Sequence, residues 1–148
     1  MIAMPVQDVA KAVGAKVSRA PSGAMARGVS IDSRTVQPGD LFVAIPGPNH
    51  DGHTFVSQAA AKGACACLVS KAPSDTHVPL LHVPDTISAL GKLAQYYRSN
   101  VINQATRVIA ITGSNGKTTA KQLIHHLLSD AFVGKASPKI FNNHIGVP

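Results

Sequence analysis

Residues 107–119 read RVIAITGSNGKTT and contain the most informative motif of the chain. Its first part, Val108–Ile111, is apolar, rich in β-branched residues and too short for a helix, so we expect a buried strand. A glycine-containing loop follows, and a helical pattern begins at Thr118. A strand, a glycine loop with lysine and threonine, and a helix in this order are typical of phosphate-binding sites.

The residue types in the loop support this interpretation. Gly113 and Gly116 let the backbone curl so that several N–H groups point inward, and the following helix adds its positive end. Lys117 can reach the terminal phosphates of a nucleotide, and the Thr118 hydroxyl can ligate Mg²⁺. The general P-loop pattern has a glycine where this chain has Ile111, so the motif is the shorter G-x-x-G-K-T form. The competing interpretation is a strand–turn–helix with an incidental lysine.

The composition indicates an aliphatic core and an excess of positive charge. The 148 residues are 45% hydrophobic but only 4% aromatic, and the formal net charge is +7 at pH 7. The basic residues are scattered and lack the interleaved aromatic residues of a nucleic-acid-binding surface. We therefore expect small anionic partners, such as nucleotides or a sugar diphosphate, and no nucleic acid. If the chain belongs to a longer protein, the remainder could also balance the charge.

The cysteines and the N-terminus indicate a reducing compartment. Cys65 and Cys67 are the only cysteines, and their spacing in an apolar run predicts that they share one face of a strand. A disulfide across one intervening residue is strained, so we expect reduced core thiols of a cytoplasmic protein. The first residues lack the long apolar core of a signal peptide, and no stretch reaches the length of a membrane span.

The residues before position 100 alternate between apolar runs and helical patterns, which predicts an α/β fold. The helix at 54–62 should be capped by Thr54 and should turn Phe55 and Ala59 inward. The loop Pro46–His53 follows a strand and is a candidate ligand site, because open α/β sheets bind ligands at the carboxyl ends of their strands. The expected elements are helix Pro5–Val13 ending at Gly14, strand Gly28–Ile31, strand Leu41–Ile45, helix Thr54–Lys62, strand Ala64–Val69, strand Leu80–Val83 and helix Thr86–Ser99.

Two domains are predicted, at residues 1–100 and 107–148, with a linker at 100–106. The second would contain a strand, the phosphate loop and a helix, which is too little for a complete parallel sheet. We therefore expect an N-terminal fragment that is inactive alone. The helix of this second domain, Thr118–Ser129, has an apolar stripe expected to face inward, formed by Ala120, Leu123, Ile124, Leu127 and Leu128.

Five motifs together resemble the N-terminal third of the Mur ligases, and the resemblance spans nearly the whole chain. The short phosphate loop is typical of the Mur and folylpolyglutamate ligase group. The ending NNHIGVP resembles the branch that adds D-alanyl-D-alanine, although that branch usually has an acidic residue where this chain has His144. The motifs are Ser30–Arg34 (SIDSR), Pro38–Ala44 (PGDLFVA), Asp51–Phe55 (DGHTF), Ile111–Thr119 (ITGSNGKTT) and Asn142–Pro148 (NNHIGVP).

The resemblance implies an ATP-dependent amide-bond ligase of peptidoglycan precursor synthesis. ATP would phosphorylate the terminal carboxylate of UDP-N-acetylmuramoyl-tripeptide, and the amine of D-alanyl-D-alanine would attack the acyl phosphate. The implied cofactors are ATP and Mg²⁺, and the implied state is a cytoplasmic monomer. The implied fold is a small N-terminal UDP-binding α/β domain, followed by the first strand, P-loop and helix of a Rossmann-like ATP-binding central domain.

The resemblance also assigns roles to individual positions. Lys117 would be the catalytic residue that pairs with the ATP phosphates, and Thr118 would bind Mg²⁺. The implied ATP-binding residues are Gly113, Ser114, Asn115, Gly116, Lys117, Thr118 and Thr119. The implied substrate-binding residues are Ile31 and Ser33 near the uridine, Pro48, Asn49 and His50 near the pyrophosphate, and Asn142 and Asn143 near the muramoyl group.

Several alternatives remain open from sequence. Arg34 is as well explained by a structural ion pair as by ligand binding, and His53 by capping or supporting the next helix. His125 and His126 are expected at the surface. The competing functions are a ligase that adds a diamino acid, a generic P-loop phosphotransferase or ATPase, and a non-catalytic nucleotide-binding module.

Overall fold

The computed structural model describes residues 2–19, 23–47, 50–71, 76–102 and 106–137. The chain separates into two units between residues 102 and 103, and each unit is described by itself. Within the described ranges, no helix combines the length and the apolar character needed to cross a membrane.

The first unit is built on a mostly parallel five-stranded sheet. The strands of this unit are β1 (Met4–Pro5), β2 (Lys16–Ser18), β3 (Met25–Ala26), β4 (Gly28–Ser30), β5 (Asp40–Val43), β6 (Ala66–Val69) and β7 (Leu80–His82). The strand order of the sheet is β2-β7-β6-β5-β4, with only the edge strand β2 antiparallel to its neighbour, while β1 and β3 form a separate antiparallel pair. The α/β fold predicted from the sequence is thus confirmed.

Alternation along the central strands divides the core between the two faces of the sheet. On β5, Leu41 and Val43 face one cluster, whereas Phe42 faces the other. Helices α1 (Val6–Val13) and α3 (Thr86–Tyr96) cover the first cluster, and α2 (Val56–Ala61) covers the second. Residues 41–44 are therefore buried on both sides, as their continuous apolar sequence predicts.

Helix α1 agrees with its prediction, but the start of α2 does not. A 3₁₀ turn at Gly52–Phe55 precedes α2, and Asp51, rather than Thr54, caps that turn. The turn shifts the helical phase, so that Val56 is fully buried while Phe55 remains 38% exposed. The inward orientation predicted for Phe55 was therefore wrong. Helix α3 continues into a π-helical turn at Tyr97–Val101.

The two cysteines are free, as expected, but they do not share a face. Cys65 packs against the cluster under α1 and α3, whereas Cys67 lies in the cluster under α2. The prediction failed because β6 begins at Ala66, so the strand alternation does not extend back to Cys65. Burial raises the pKa of the Cys67 thiol to about 12, which keeps it protonated and unreactive.

The second unit contains α4 (Lys117–Ser129), one residue longer than predicted. Residues 108–111 are not a strand, and Val108 and Ile109 are exposed, contrary to the expected buried strand. A strand requires hydrogen bonds to a neighbouring strand, and none in the described ranges pairs with this segment. The apolar stripe of α4 also lacks cover, since Leu123 and Leu127 are exposed and no described residue of α4 is buried.

Candidate functional site

The loop before α4 depends on two glycines for its backbone conformation. Gly113 has φ of 143° and Gly116 has φ of 76°, and both values lie in the region that side chains disfavour. A Cβ at Gly116 would meet no atom within 4 Å, so the glycine is required by its dihedral angle rather than by crowding. Gly116 is also the N-cap of α4, which places the turn directly against the helix.

The N-terminus of α4 offers positive groups to this loop. The Lys117 ammonium group donates to the carbonyl oxygen of Gly113 and, at 3.3 Å, to that of Ser114, so the cation lies over the loop. The N–H of Ala120 makes the first helical bond, to the carbonyl of Gly116 at 2.8 Å. The N–H groups of residues 117–119 precede that bond and have no helical acceptor. A lysine, free N–H groups and a helix N-terminus together can bind a phosphate.

The carboxyl ends of β4, β5, β6 and β7 lie at one edge of the sheet, because the four strands are parallel. At the end of β4, the Asp32 carboxylate accepts hydrogen bonds from Arg34 Nε at 2.9 Å and from Nη2 at 2.7 Å. These bonds lower the pKa of Asp32 to about 2. The sequence left open whether Arg34 forms a structural ion pair or binds a ligand, and the structure shows the ion pair with Asp32.

Ser33 and Ile31 lie beside this turn. Ser33 is buried, and its hydroxyl donates to Gln58 Oε1 at 2.7 Å, while Ile31 is half-buried against the core. The contact of Gln58 with Ser33 could not be predicted from the sequence. Gln58 lies on the exposed side of α2 and belongs to no recognisable motif. The hydroxyl of Ser33 is thus held by a contact within the protein.

The loop after β5 is closed at its base. Pro46 and Asp51 form an isolated antiparallel bridge, and the N–H of Gly52 donates to the carbonyl of Ile45 at 2.9 Å. A Cβ on Gly52 would lie 2.6 Å from the Ile45 nitrogen, so only glycine permits this approach. His50 is exposed at the described end of the loop, whereas the predicted ligands Pro48 and Asn49 lie outside the described residues.

Asp51, His53 and Ser70 connect this loop to the end of β6. His53 Nδ1 lies 2.5 Å from Asp51 Oδ1, and His53 Nε2 accepts the main-chain N–H of Ser70 at 2.9 Å. The Lys71 ammonium lies 3.5 Å from Asp51 Oδ2. The N–H of His53, its ring and Lys71 lower the pKa of Asp51 to about 2. His53 therefore supports the turn before α2, which is the structural role considered for it in the sequence analysis. No sequence motif indicated that Ser70 and Lys71 take part in these contacts.

The predicted site residues thus fall into two separate groups. The phosphate loop belongs to the second unit, and the described substrate-binding candidates lie at the sheet edge of the first unit. Asn142 and Asn143, together with His144, lie outside the described residues. His125 and His126 are exposed, as expected. Among the described residues, no three His, Cys, Asp or Glu side chains could together hold a metal ion.

Comparison with known proteins identifies two consecutive domains of one family. Residues 26–98 match the domain described as "Mur ligase family, catalytic domain", and residues 111–148 match the "Mur ligase middle domain". The chain is 38% identical to the UDP-N-acetylmuramoyl-tripeptide–D-alanyl-D-alanine ligase of Bacillus subtilis, covering all of this chain and 32% of that protein. It is 46% identical to the UDP-N-acetylmuramoyl-L-alanyl-D-glutamate–2,6-diaminopimelate ligase of Syntrophomonas wolfei, over 70% of this chain and 21% of that protein.

Solved structures of Mur ligases are also similar to this chain. MurF from Acinetobacter baumannii matches 98% of this chain and 32% of its own length, with a TM-score of 0.86 and 33% identity. MurF from Thermotoga maritima in complex with ADP matches 82% of this chain and 27% of its own length, with a TM-score of 0.69 and 30% identity. The chain spans about a third of the relatives that it matches most completely. With both of its domains matched and its fold shared, the chain belongs to the Mur ligase family.

Proposed function

We propose that this chain forms the N-terminal part of a cytoplasmic, ATP-dependent ligase that joins D-alanyl-D-alanine to UDP-N-acetylmuramoyl-tripeptide in peptidoglycan precursor synthesis. The observation that carries the proposal is the loop before α4, where the Lys117 ammonium lies over the carbonyls of a glycine turn. A phosphate group is the ligand that suits this arrangement. The B. subtilis relative and the A. baumannii structure support the choice of branch.

The chain contains groups that suit the binding of ATP and of the UDP end of the substrate. Lys117 would exchange its contacts to the loop carbonyls for the phosphates of ATP, and the N–H groups at the start of α4 would bind the same oxygens. Mg²⁺ neutralises phosphate charge when bound, and the Thr118 hydroxyl at the start of α4 fits the role of a ligand to it. The sheet edge of residues 2–102, with Ile31, Ser33 and His50, would bind the UDP end of the substrate.

The remaining contacts and the domain arrangement of the proposed enzyme follow from its resemblance to the Mur ligases. The ATP site would also use Ser114, Asn115 and Thr119, and the muramoyl group would lie near Asn142 and Asn143. The two domains would be 1–100 and 107–148 of an enzyme that acts as a monomer, without nucleic-acid or membrane-inserted partners. Cell shape and division would depend on its product.

The test measures phosphate release from ATP by the intact enzyme that carries this chain. We expect release to require both UDP-N-acetylmuramoyl-tripeptide and D-alanyl-D-alanine. The second candidate rests on the S. wolfei relative, and it predicts turnover with UDP-N-acetylmuramoyl-L-alanyl-D-glutamate and 2,6-diaminopimelate instead. ATP hydrolysis that is independent of either acceptor would indicate a generic ATPase, and nucleotide binding without turnover would indicate a non-catalytic module.

A further inference from the structure

A hydrogen bond joins the beginning of the described chain to the end of α3. The main-chain N–H of Ile2 donates to the Tyr97 hydroxyl at 2.6 Å, across 95 positions of the sequence. Ile2 lies just before β1, which pairs with β3 and buries Met4 in the core. The segment 2–5 is therefore attached to the fold at one end through β3 and at the other end through Tyr97.

Tyr97 is the first residue of the π-helical turn that follows α3. The N–H of Ile102 donates to the Tyr97 carbonyl at 3.0 Å and closes the turn, and the backbone at Ile102 is extended. The first unit ends at this residue. Because π-helical turns are rare, we expect contacts outside the turn to favour this one over an ordinary helix end.

Two kinds of contact hold Tyr97 from outside the turn. Its half-buried ring packs, together with Val101, against the core cluster under α1 and α3. Its hydroxyl lies on the exposed side and is held by Ile2. The ring is thus fixed at both of its ends, and the carbonyl that closes the turn belongs to the same residue.

We propose that residues 2–5 form a strap, which holds the π-helical turn closed through the bond from Ile2 to Tyr97 and so fixes the end of the first unit at Ile102. With this bond removed, the turn at Tyr97–Val101 should open more often, and the ordered part of the unit should end at Tyr96. Such local opening depends on the contacts of the segment that opens and not on global stability. The inference does not depend on the proposed function, since it concerns only residues 2–102.

The test follows hydrogen exchange of the Ile102 amide in the intact protein. Tyr97→Phe removes the acceptor and keeps the ring, whereas Ile2→Pro removes the donor. We expect each variant to speed this exchange about two- to tenfold, the range that one hydrogen bond supplies, with exchange in β5 and β6 unchanged. Tyr96→Phe is the matched control, because it makes the same change at the preceding residue while the bond to Ile2 uses Tyr97. It should exchange at the wild-type rate.

A double variant shows whether the two substitutions act on one bond. If they do, Ile2→Pro combined with Tyr97→Phe should exchange no faster than the faster single variant. Effects of the two substitutions that multiply, or a wild-type rate in Tyr97→Phe, would overturn the proposal.

Limited digestion with trypsin provides a second measurement. Arg98 is exposed within the π-helical turn, and Lys92 is exposed within α3. Cleavage after Arg98 should be accelerated in Tyr97→Phe by the same factor as the exchange, while cleavage after Lys92 stays at the wild-type rate. Equal acceleration at both positions would indicate a general loss of stability and would contradict a strap that acts on the turn.

Discussion

The Thr86 hydroxyl donates a hydrogen bond of 2.9 Å to the main-chain carbonyl of Ala44, and both residues are buried. The bond links the first residue of α3 to the residue that follows β5, across 42 positions of the chain. It satisfies a carbonyl that has just left the regular strand ladder at the sheet edge. The bond therefore connects the start of α3 to the carboxyl end of β5.

Removing this donor should destabilise the first unit. In Thr86→Val the shape is kept but the Ala44 carbonyl loses its partner, which should reduce the free energy of unfolding by about 1–3 kcal/mol. Denaturant unfolding of the intact protein measures the change. Thr54→Val, which removes an exposed hydroxyl that donates to the Asp51 carbonyl at 2.7 Å, serves as the control for a solvent-exposed bond. Equal stability of Thr86→Val and the wild-type protein would show that the bond contributes little.

Lys117→Ala should abolish ligase turnover while the UDP-sugar substrate still binds. The ammonium group is the cation placed over the phosphate loop, whereas the proposed UDP contacts lie in the other unit. Steady-state assays and calorimetry with the UDP-sugar separate the two effects. An intact turnover rate in the variant would contradict the assignment of the loop. Lys121→Ala, one helical turn further along α4, is the matched control.

Gly116→Val should prevent ATP binding. A β-branched residue does not readily adopt φ of 76°, so the turn must change and its N–H groups lose their alignment. Gly91→Val provides a control for the substitution itself, because Gly91 lies in a helix and a Cβ there meets no atom within 4 Å. Calorimetry with ATP should detect binding to the control and none to Gly116→Val. Equal affinity in both variants would argue against a phosphate loop.

Acid should weaken the turn after β4. The ion pair with Arg34 lowers the pKa of Asp32 from 3.8 to about 2, so the folded state binds a proton less readily than the unfolded state. The stabilisation is fully present above about pH 4 and is lost as the pH falls through about 2. Thermal unfolding of wild-type protein and Asp32→Asn across this range should converge at low pH. A difference in melting temperature that does not depend on pH would exclude this linkage.

Hydrogen exchange should distinguish the central strands from the segment before the phosphate loop. Amides of Leu41–Val43 and Ala66–Val69 are bonded within the buried sheet and should exchange slowly in the 148-residue chain. Amides of 108–111 should exchange fast, because residues 108–110 are exposed and the segment forms no described strand. We also expect fast exchange from Ala131 onward, and no ATP hydrolysis or amide formation by this chain alone. Slow exchange throughout 108–111 would contradict the expectation of fast exchange in that segment.

The sequence predicted those elements whose signals are local. The spacing of Val6, Val9 and Val13 with Gly14 defined α1, and the continuous apolar run Leu41–Val43 defined β5. Gly113 and Gly116 indicated the tight loop because positive φ values favour that residue type. The glycine loop and the helix that follows it could thus be predicted from local sequence, whereas the strand predicted before them was wrong.

The predictions that were wrong or missing depend on interactions between distant residues or on competition between neighbouring residues. Residues 108–111 have the composition of a strand, but a strand forms only with a partner, and composition does not show whether one is present. Thr54 and Asp51 are both favourable N-cap residues, but the helical segment begins with a 3₁₀ turn whose N-cap is Asp51. The links from Ser33 to Gln58 and from His53 to Ser70 join residues 25 and 17 positions apart, beyond the reach of any periodicity.

The base of the 46–53 loop also has a consequence for engineering. The bridge from Pro46 to Asp51 and the absence of space for a side chain at Gly52 fix the two ends of the loop. Within the loop, the N–H of Gly47 donates to the carbonyl of His50 at 2.9 Å, and a Cβ on Gly47 would lie 2.9 Å from the same oxygen. An exchanged loop should therefore keep Pro46, Gly47, Asp51 and Gly52 if the sheet is to stay undisturbed.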